Sequence, residues 1–378
     1  MSRQAYGSGS MTEREPGVWR LRVMVDGKQR QETFRGTEAA ARKRLRTMAP
    51  HDGPVDEVSA PSDARTFGDL LTRWLVHIAA RGRAPKTIDE NRREIESRIR
   101  PRLGHIGILN LTAEDLDSAY SAWLDDLSPS SVHRHAAVIS AALSQGVKWG
   151  WLDNSPAVKA SAPPTAPSRK LVTPTTEEIA KLIKAAQSDD PVMAAAIALA
   201  FVTGARRGEL AALKWSDIDL NTGTVRIERS LTQVGKNVME KGTKTNRGRT
   251  VAIDGRTVAL LEHHLAWQID LSTRAESPLV GDPYVLSDNA NGARPMQPSK
   301  ITDRFTSLRD TVALQSIRFH DLRHANVSEQ LAAGIDPATV SARAGHASTR
   351  MTLDRYAHAL PASGTAAAAV MGALLPGE

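Results

Sequence analysis

The chain has 378 residues, 41% hydrophobic and 24% charged, a balance typical of a soluble globular protein with more than one domain. The 49 Lys and Arg outnumber the 42 Asp and Glu, and the formal net charge of +7 favours a polyanionic partner such as nucleic acid. The absence of cysteine excludes disulfides, thiolate metal sites and a cysteine nucleophile, and it fits a reducing cytosol. The longest apolar run, at 192–202, is about half of what a membrane crossing needs, so no membrane partner is expected.

The N-terminal segment combines a polar start with a basic unit. Residues 1–16 contain no apolar signal core, and we expect a flexible leader there. Residues 17–48 alternate apolar and polar positions around an Asp-Gly pair, which predicts a β-hairpin, and Thr37 then resembles a helix N-cap. Ten basic and four acidic residues between positions 14 and 46 give a local charge of +6. The unit is therefore either a solvated ββα fold or a DNA-binding arm.

The next part of the chain is predicted to be helical. The segment at 49–63 is rich in Pro, Asp and Ser and has no hydrophobic period, so it is predicted to be a linker. Residues 64–153 hold four stretches with apolar residues at helical spacing. Pro85 is placed to open the second helix, and Thr112 begins a T-x-x-D capping pattern for the third. A second, proline-rich linker follows at 154–170.

The largest unit runs from residue 171 to 378. Its helices are predicted to surround a short sheet made of the segment at 224–229, a middle strand near 238–244 and the segment at 249–253. The Ala-rich tail at 362–378 favours a further helix. The whole sequence therefore predicts a multidomain, mainly α-helical protein with small β-sheets.

Short motifs in this unit supply what a metal-free attack on a phosphodiester needs. Such an attack requires a nucleophile, cationic donors for the phosphoryl oxygens and an acid for the leaving oxygen. TGARRGEL places Arg206 at a glycine turn before a helix, where a guanidinium can meet a phosphate bidentately. HDLRHA places His320 and Arg323 on one helical face. AGH ends at His346, and TLDRYAH holds Tyr356.

In this order and with these spacings, the four motifs resemble the signature of the tyrosine recombinase (phage integrase) family, over about residues 171–360. The resemblance implies an α+β catalytic domain preceded by a helical core-binding domain and, more loosely, by a small ββα arm-binding domain. It also implies a site-specific recombinase that cleaves and rejoins DNA through a 3′-phosphotyrosyl intermediate and integrates or excises a mobile element. No cofactor and no metal are expected, and the expected location is the bacterial cytoplasm, at the nucleoid.

The same resemblance implies a role for each motif residue. Tyr356 corresponds to the nucleophile, and Arg206 and Arg323 to the two arginines that clamp the scissile phosphate. His320 and His346 correspond to histidines that assist proton transfer and phosphate binding. Because a free tyrosine has a pKa near 10, its attack needs a base, and His320 is the candidate.

The general acid is the least determined member of the set. The family places a lysine on a β-hairpin, where Lys244 fits best and Lys241 is the alternative. Glu209 matches an acidic position with a supporting role. The following basic side chains are expected to contact DNA phosphates: Arg20, Arg22, Lys28, Arg30, Lys86, Arg134, Lys241 and Arg247.

Three alternatives stay open. HDLRH has the spacing of a zinc-binding H-E-x-x-H helix with His320 and His324 as ligands, but no third ligand follows at a convincing spacing. A type IB topoisomerase shares the chemistry without needing paired sites, and a relative could bind DNA without activity.

The resemblance further implies a homotetramer on two double-stranded DNA sites, with the tail at 362–378 docked on a neighbouring protomer. It leaves open the need for a host DNA-bending protein or a directionality factor.

Overall fold

The structure is a computed structural model, and the residues it describes are 10–25, 28–48, 65–165, 172–235, 237–242, 248–359, 368 and 371. The chain divides into two units, Met1–Ala64 and Arg65–Glu378. The linker at 49–63 and nearly all of the tail at 362–378 lie outside the described residues. Within the described part of the chain, no helix is long and apolar enough to span a membrane.

The N-terminal unit is a three-stranded antiparallel sheet followed by a helix. Its elements are β1 (Ser10–Glu15), β2 (Val18–Val25), β3 (Lys28–Arg35) and α1 (Glu38–Met48). β2 lies between the other two strands, and the β2–β3 pair is the hairpin that the sequence predicts. Leu21 and Val23 lie on either side of Arg22 along β2 and are buried, as is Ala41 of α1.

β1 corrects the expectation of a flexible leader over residues 1–16. Ser10–Glu15 pairs with β2, from Ser10 opposite Arg22 to Glu15 opposite Val18. Met11 is the one apolar residue of the strand, so the sequence lacks the alternation that marks a half-buried strand. Backbone pairing with β2, rather than side-chain burial, holds this segment.

A helical region opens the second unit, and its elements are α2 (Phe67–Ala80), α3 (Pro85–Glu94), α4 (Arg100–Leu103), α5 (Ala113–Leu124) and α6 (Pro129–Lys148). A π turn at Ile95–Ile99 joins α3 to α4, so the second predicted helix is one continuous segment. Pro85 is the first residue of α3, and Thr112 forms a capping box with Asp115, as predicted. The core of this region includes the fully buried Phe67, Leu70, Ile99, Leu116 and Leu143.

The C-terminal region is built around one apolar helix. Its helices are α7 (Thr176–Asp189), α8 (Pro191–Thr203), α9 (Arg207–Ala211), α10 (Gly255–Arg274), α11 (Pro298–Thr311), α12 (Asp321–Ala332), α13 (Pro337–Ala344) and α14 (Thr349–Tyr356). α8 is apolar on all sides and almost entirely buried, because α7, α10, α11 and α12 pack around it.

The strands of this region form two separate sheets. One contains β4 (Ile218–Asp219), β5 (Thr224–Ile227) and β8 (Arg249–Ala252), and the other pairs β6 (Arg229–Val234) with β7 (Asn237–Gly242). The predicted middle strand near 238–244 is therefore wrong as a member of the first sheet. Gly235, with a φ of 58°, lets the chain turn back so that β7 pairs with β6. β5 pairs directly with β8 and places the buried Val225 opposite the buried Val251.

The turn after α8 needs a glycine. Gly204 caps α8 in the left-handed conformation, with a φ of 62°, and its N–H donates to the Ala200 carbonyl at 3.1 Å. A Cβ at this position would lie 2.6 Å from Oδ1 of Asn326 on α12. A side chain at position 204 would therefore require Asn326 to move.

Replacing Gly204 tests this packing. We expect Gly204→Ala to lower the free energy of unfolding by more than the roughly 1–2 kcal/mol that a left-handed alanine costs, because Asn326 must also move. Gly82→Ala is the matched control, since Gly82 has a φ of 70° and its Cβ would meet nothing within 4 Å. Urea unfolding of both variants measures the difference, and equal losses would contradict the packing argument.

Candidate active site

The C-terminal end of α13 gathers three arginines from different parts of the chain. Three consecutive carbonyl oxygens each accept a hydrogen bond there: Arg343 O from Arg249 Nε at 2.8 Å, Ala344 O from Arg323 Nη1 at 2.5 Å and Gly345 O from Arg206 Nη2 at 3.0 Å. The last carbonyls of a helix have no partner inside it and carry partial negative charge, so guanidinium donors are favourable there. We call these three arginines the arginine cluster.

Glu209 holds two members of the arginine cluster together. Its carboxylate is 1% exposed and accepts from Arg206 Nη1 at 3.0 Å and from Arg249 Nη2 at 2.7 Å. Burial alone would raise the pKa of Glu209, but the hydrogen bonds and charges of Arg249 and Arg206 hold this pKa below its ordinary value. Glu209 is therefore ionised at neutral pH and fixes the direction of the Arg206 side chain.

Arg323 is the most buried member of the arginine cluster. It is 3% exposed, and its Nη1 also donates to the Gly204 carbonyl. Burial, followed by the positive charge of Arg206, lowers the pKa of Arg323 to about 10, so the group stays charged at neutral pH. Its Nη2 is buried and has no hydrogen-bond partner among the described residues. A buried cationic donor without a partner can bind an oxyanion.

Tyr356 is the last residue of α14 and lies beside the arginine cluster. It is 1% exposed, and its hydroxyl is hydrogen-bonded to Nδ1 of His324 on α12. The ring of His346 lies parallel to the tyrosine ring, with the centroids 6.4 Å apart. Burial raises the pKa of Tyr356, and the positive charge of Arg323 offsets part of this effect, so the phenol is protonated at neutral pH.

Three histidines surround the tyrosine and the arginine cluster. Burial and then the charge of His320 lower the pKa of His324 to about 4, and burial and then Arg323 lower the pKa of His346 to about 4. The pKa of His320 is also lowered, first by lost hydration and then by Arg323. All three rings are therefore neutral at neutral pH. His346 Nδ1 shares a 2.6 Å hydrogen bond with the Thr352 hydroxyl.

The structure turns the two histidines of the zinc alternative in different directions. His324 directs Nδ1 to Tyr356, while the rings of His320 and His324 meet edge to face with their centroids 4.8 Å apart. Among the described residues, no group of three or more His, Asp or Glu side chains is arranged to hold a metal ion.

A basic cavity opens in front of Arg206. It has a volume of about 660 Å³ and is bounded by α3, β6, α9 and α11, and its basic lining residues are Lys86, Arg206, Arg207, Arg309, Arg318 and His320. None of the described residues that line it is an Asp or a Glu. The cavity is therefore complementary to an anion.

Five of the six predicted catalytic residues lie together. They are Arg206, His320, Arg323, His346 and Tyr356, although His320 contacts His324 and not the tyrosine hydroxyl. Lys244 lies outside the described residues, and Lys241 is described only as part of the β7 backbone.

The predicted DNA contacts fall on several surfaces. Arg20 and Arg22 point to the sheet face opposite the buried Leu21, whereas Arg30 is paired with the buried Val23 and belongs to the other face. Lys86 lines the basic cavity, and Arg134 is exposed and forms a 3.2 Å ion pair with Glu94. The side chain of Lys28 and the whole of Arg247 lie outside the described residues.

Sequence reasoning missed two residues of the site. His324 entered only as a zinc alternative, although its position four residues after His320 puts it on the same helical face. Arg249 entered only as the first residue of the predicted strand segment at 249–253, yet its side chain is 10% exposed and forms an ion pair with Glu209. The available signal was the spacing of two residues between Arg249 and Val251. Side chains two apart in a strand point to the same face, and Val251 is buried.

Comparison with known proteins agrees with this geometry. The sequence model of the Phage integrase family matches residues 174–362. The chain is 25% identical over 317 residues to the tyrosine recombinase XerC-like protein of Caldanaerobacter subterraneus subsp. tengcongensis, covering 78% of this chain and 80% of that protein.

Solved structures show the same fold. A Tn1549 transposon integrase in complex with a circular intermediate DNA superposes with a TM-score of 0.67 at 18% identity, covering 82% of this chain and 100% of that one. A lambda integrase tetramer bound to a Holliday junction gives a TM-score of 0.60 at 20% identity, covering 92% and 97%. The predicted fold class is thereby confirmed. The chain belongs to the phage integrase family and is a tyrosine-type site-specific recombinase.

Proposed function

We propose that Tyr356 attacks the scissile phosphate of double-stranded DNA, forms a 3′-phosphotyrosyl bond and releases a 5′ hydroxyl. The 5′ hydroxyl of a partner strand then attacks the same phosphorus and restores the tyrosine. The observation that carries the proposal is the buried Tyr356 beside Arg323, whose buried Nη2 has no hydrogen-bond partner in the described part of the chain. Because each step exchanges one phosphoester bond for another, the bond energy is conserved.

The phosphate is held by the arginine cluster. Arg323 offers to one phosphoryl oxygen its Nη2, which no described residue binds, and Arg206 faces the basic cavity from which DNA would approach. Neutral His346 can donate from Nε2 while Nδ1 accepts the Thr352 hydroxyl. Fixed donors of this kind stabilise the charge that develops on the phosphoryl oxygens in the transition state.

The leaving 5′ oxygen takes its proton from Lys244 in this proposal, with Lys241 as the alternative. β7 ends at Gly242 and β8 begins at Arg249, so Lys244 belongs to the connection between them. Arg249 anchors the end of that connection to Glu209 and to the Arg343 carbonyl. This anchor supports a lysine that approaches the phosphate from the β7–β8 side.

The domain roles follow from the positions of the basic side chains. We propose that residues 171–378 catalyse, residues 64–153 bind the core site with Lys86 facing the DNA, and residues 17–48 bind arm sites through Arg20 and Arg22.

The likeness to a lambda integrase tetramer on a Holliday junction supports a homotetramer on two DNA sites. The likeness to a transposon integrase supports recombination of a mobile element, at the nucleoid in the bacterial cytoplasm. Recombination from purified protein and DNA tests the need for a host bending protein or a directionality factor.

Glu209→Gln tests how the arginine cluster is held. The substitution preserves the size of the side chain but removes the negative charge that pairs with Arg206 and Arg249. We therefore expect the free energy of unfolding to fall by about 3 kcal/mol. DNA cleavage should fall at least about tenfold, because Arg206 loses its fixed direction. Asp270→Asn is the control, since its ion pair with Arg274 is exposed and worth less than about 1 kcal/mol. Urea unfolding and single-turnover cleavage measure both effects, and equal behaviour of the two variants would contradict the assigned role.

Trapping on a nicked suicide substrate tests the nucleophile. The native chain should form a covalent protein–DNA adduct, and Tyr356→Phe should form none because it lacks the attacking oxygen. Tyr284→Phe, which alters another tyrosine of the C-terminal region, should retain the adduct. Denaturing electrophoresis separates the species, and equal adduct from the native chain and Tyr356→Phe would refute the proposed function.

A sulfur-substituted substrate distinguishes the two lysines. A 5′-bridging thiolate leaves without a proton, so it bypasses the general acid. Lys244→Ala should slow cleavage of the ordinary substrate by about 10²-fold or more, and the sulfur should restore the rate. Lys241→Ala should show neither effect, and the opposite pattern would assign the acid to Lys241.

A further inference from the structure

We propose that His324, and not His320, accepts the proton of Tyr356 as the tyrosine oxygen attacks phosphorus. This inference rests on the proposed function and names the base for its nucleophile. A base must lie within hydrogen-bond reach of the proton that it removes. A candidate base is therefore judged first by its distance to that proton and then by its pKa.

The geometry separates the two histidines. His324 is 4% exposed, and its Nδ1 is hydrogen-bonded to the Tyr356 hydroxyl. His320 precedes α12, and its ring contacts the ring of His324, with the centroids 4.8 Å apart. His320 is therefore one ring further from the reacting oxygen.

The direction of this hydrogen bond follows from the protonation states. The pKa of Tyr356 is raised, so the phenol carries its proton at neutral pH. The pKa of His324 is lowered to about 4, so its ring is neutral and can present a lone pair at Nδ1. The phenol therefore donates and His324 accepts, which is the arrangement needed before proton transfer.

DNA would make His324 a stronger base. The charged and titratable groups that face it are His320 and Arg323 of the same helical segment, His346 after α13, and Arg355 and Tyr356 of α14. In the DNA-free protein, burial and then His320, Arg355, Arg323 and His346 oppose a positive charge on His324. A bound phosphate adds a negative charge beside Arg323, which raises the proton affinity of His324. Proton transfer is thereby coupled to the presence of substrate.

The step balances without a further reactant. The proton moves from the Tyr356 hydroxyl to His324 Nδ1, the tyrosine oxygen forms a bond to phosphorus, and the bond from phosphorus to the 5′ oxygen breaks. The general acid supplies a proton to that oxygen. On rejoining, the 5′ hydroxyl returns its proton to the general acid, and His324 returns its own to the departing tyrosine oxygen.

The pH dependence of cleavage by His324→Asn tests the proposal. Asparagine can place an acceptor near the position of Nδ1 but cannot take up a proton. We expect single-turnover cleavage of the suicide substrate to fall about 10²-fold or more at neutral pH, the usual contribution of a general base. Between about pH 6 and pH 9 the remaining rate should rise about tenfold per unit, because hydroxide replaces the base, while the native rate stays nearly level.

His320→Asn is the matched control. It changes the neighbouring ring in the same way, and we expect slower cleavage with the pH profile of the native chain. A fluorinated tyrosine at position 356, which ionises more readily, should accelerate His324→Asn far more than the native chain. This second readout does not depend on how much a histidine variant perturbs the fold.

The outcomes separate the base from the nucleophile. A native chain that forms no adduct would refute the proposed function itself. A native adduct together with an unchanged pH profile in His324→Asn, or with the hydroxide dependence in His320→Asn instead, would refute the role of His324 alone.

Discussion

The active site depends on the exposed carbonyls at the end of α13. Bringing three arginines together is unfavourable, because each cation raises the energy of the others. The three carbonyls, the ionised Glu209 and the Gly204 carbonyl compensate this repulsion. Burial, and after it the positive charge of Arg206, still lowers the pKa of Arg323 to about 10, and its Nη2 has no hydrogen-bond partner among the described residues. One donor of the arginine cluster is therefore available to bind a further anion.

Burial, together with the positive charge of neighbouring groups, determines how the histidines behave. Buried histidines beside cations lose their proton well below neutral pH, as His324 and His346 do. They therefore act as neutral donors or acceptors, and the charge in the site stays on the arginines. Under the proposed function, a phosphate beside Arg323 would offset that charge, so substrate binding and the proposed proton transfer would be electrostatically coupled.

The sequence motifs predicted which side chains lie together in the site, because the family signature consists of residues that are distant in sequence and close in the fold. Arg206, Arg323 and Tyr356 were identified in this way, and capping at Thr112 followed from local chemistry. The separation of the strands into two sheets was not predicted, since periodicity identifies a strand but not its partner. The contact of His324 with Tyr356 depends on how α14 packs against α12, and spacing along one helix contains no such information.

The proposed nucleophile belongs to a small core of its own. Tyr356 is buried with Val327, Leu331, Val340 and Ala344, apart from the larger core around α8. Arg323 connects the two cores, because its Nη1 donates hydrogen bonds to the Gly204 carbonyl after α8 and to the Ala344 carbonyl at the end of α13. A phosphate bound at Arg323 would therefore meet a side chain that is hydrogen-bonded at both places. Tyr356, whose hydroxyl is hydrogen-bonded to His324 of α12, therefore lies in the smaller core and not in the core around α8.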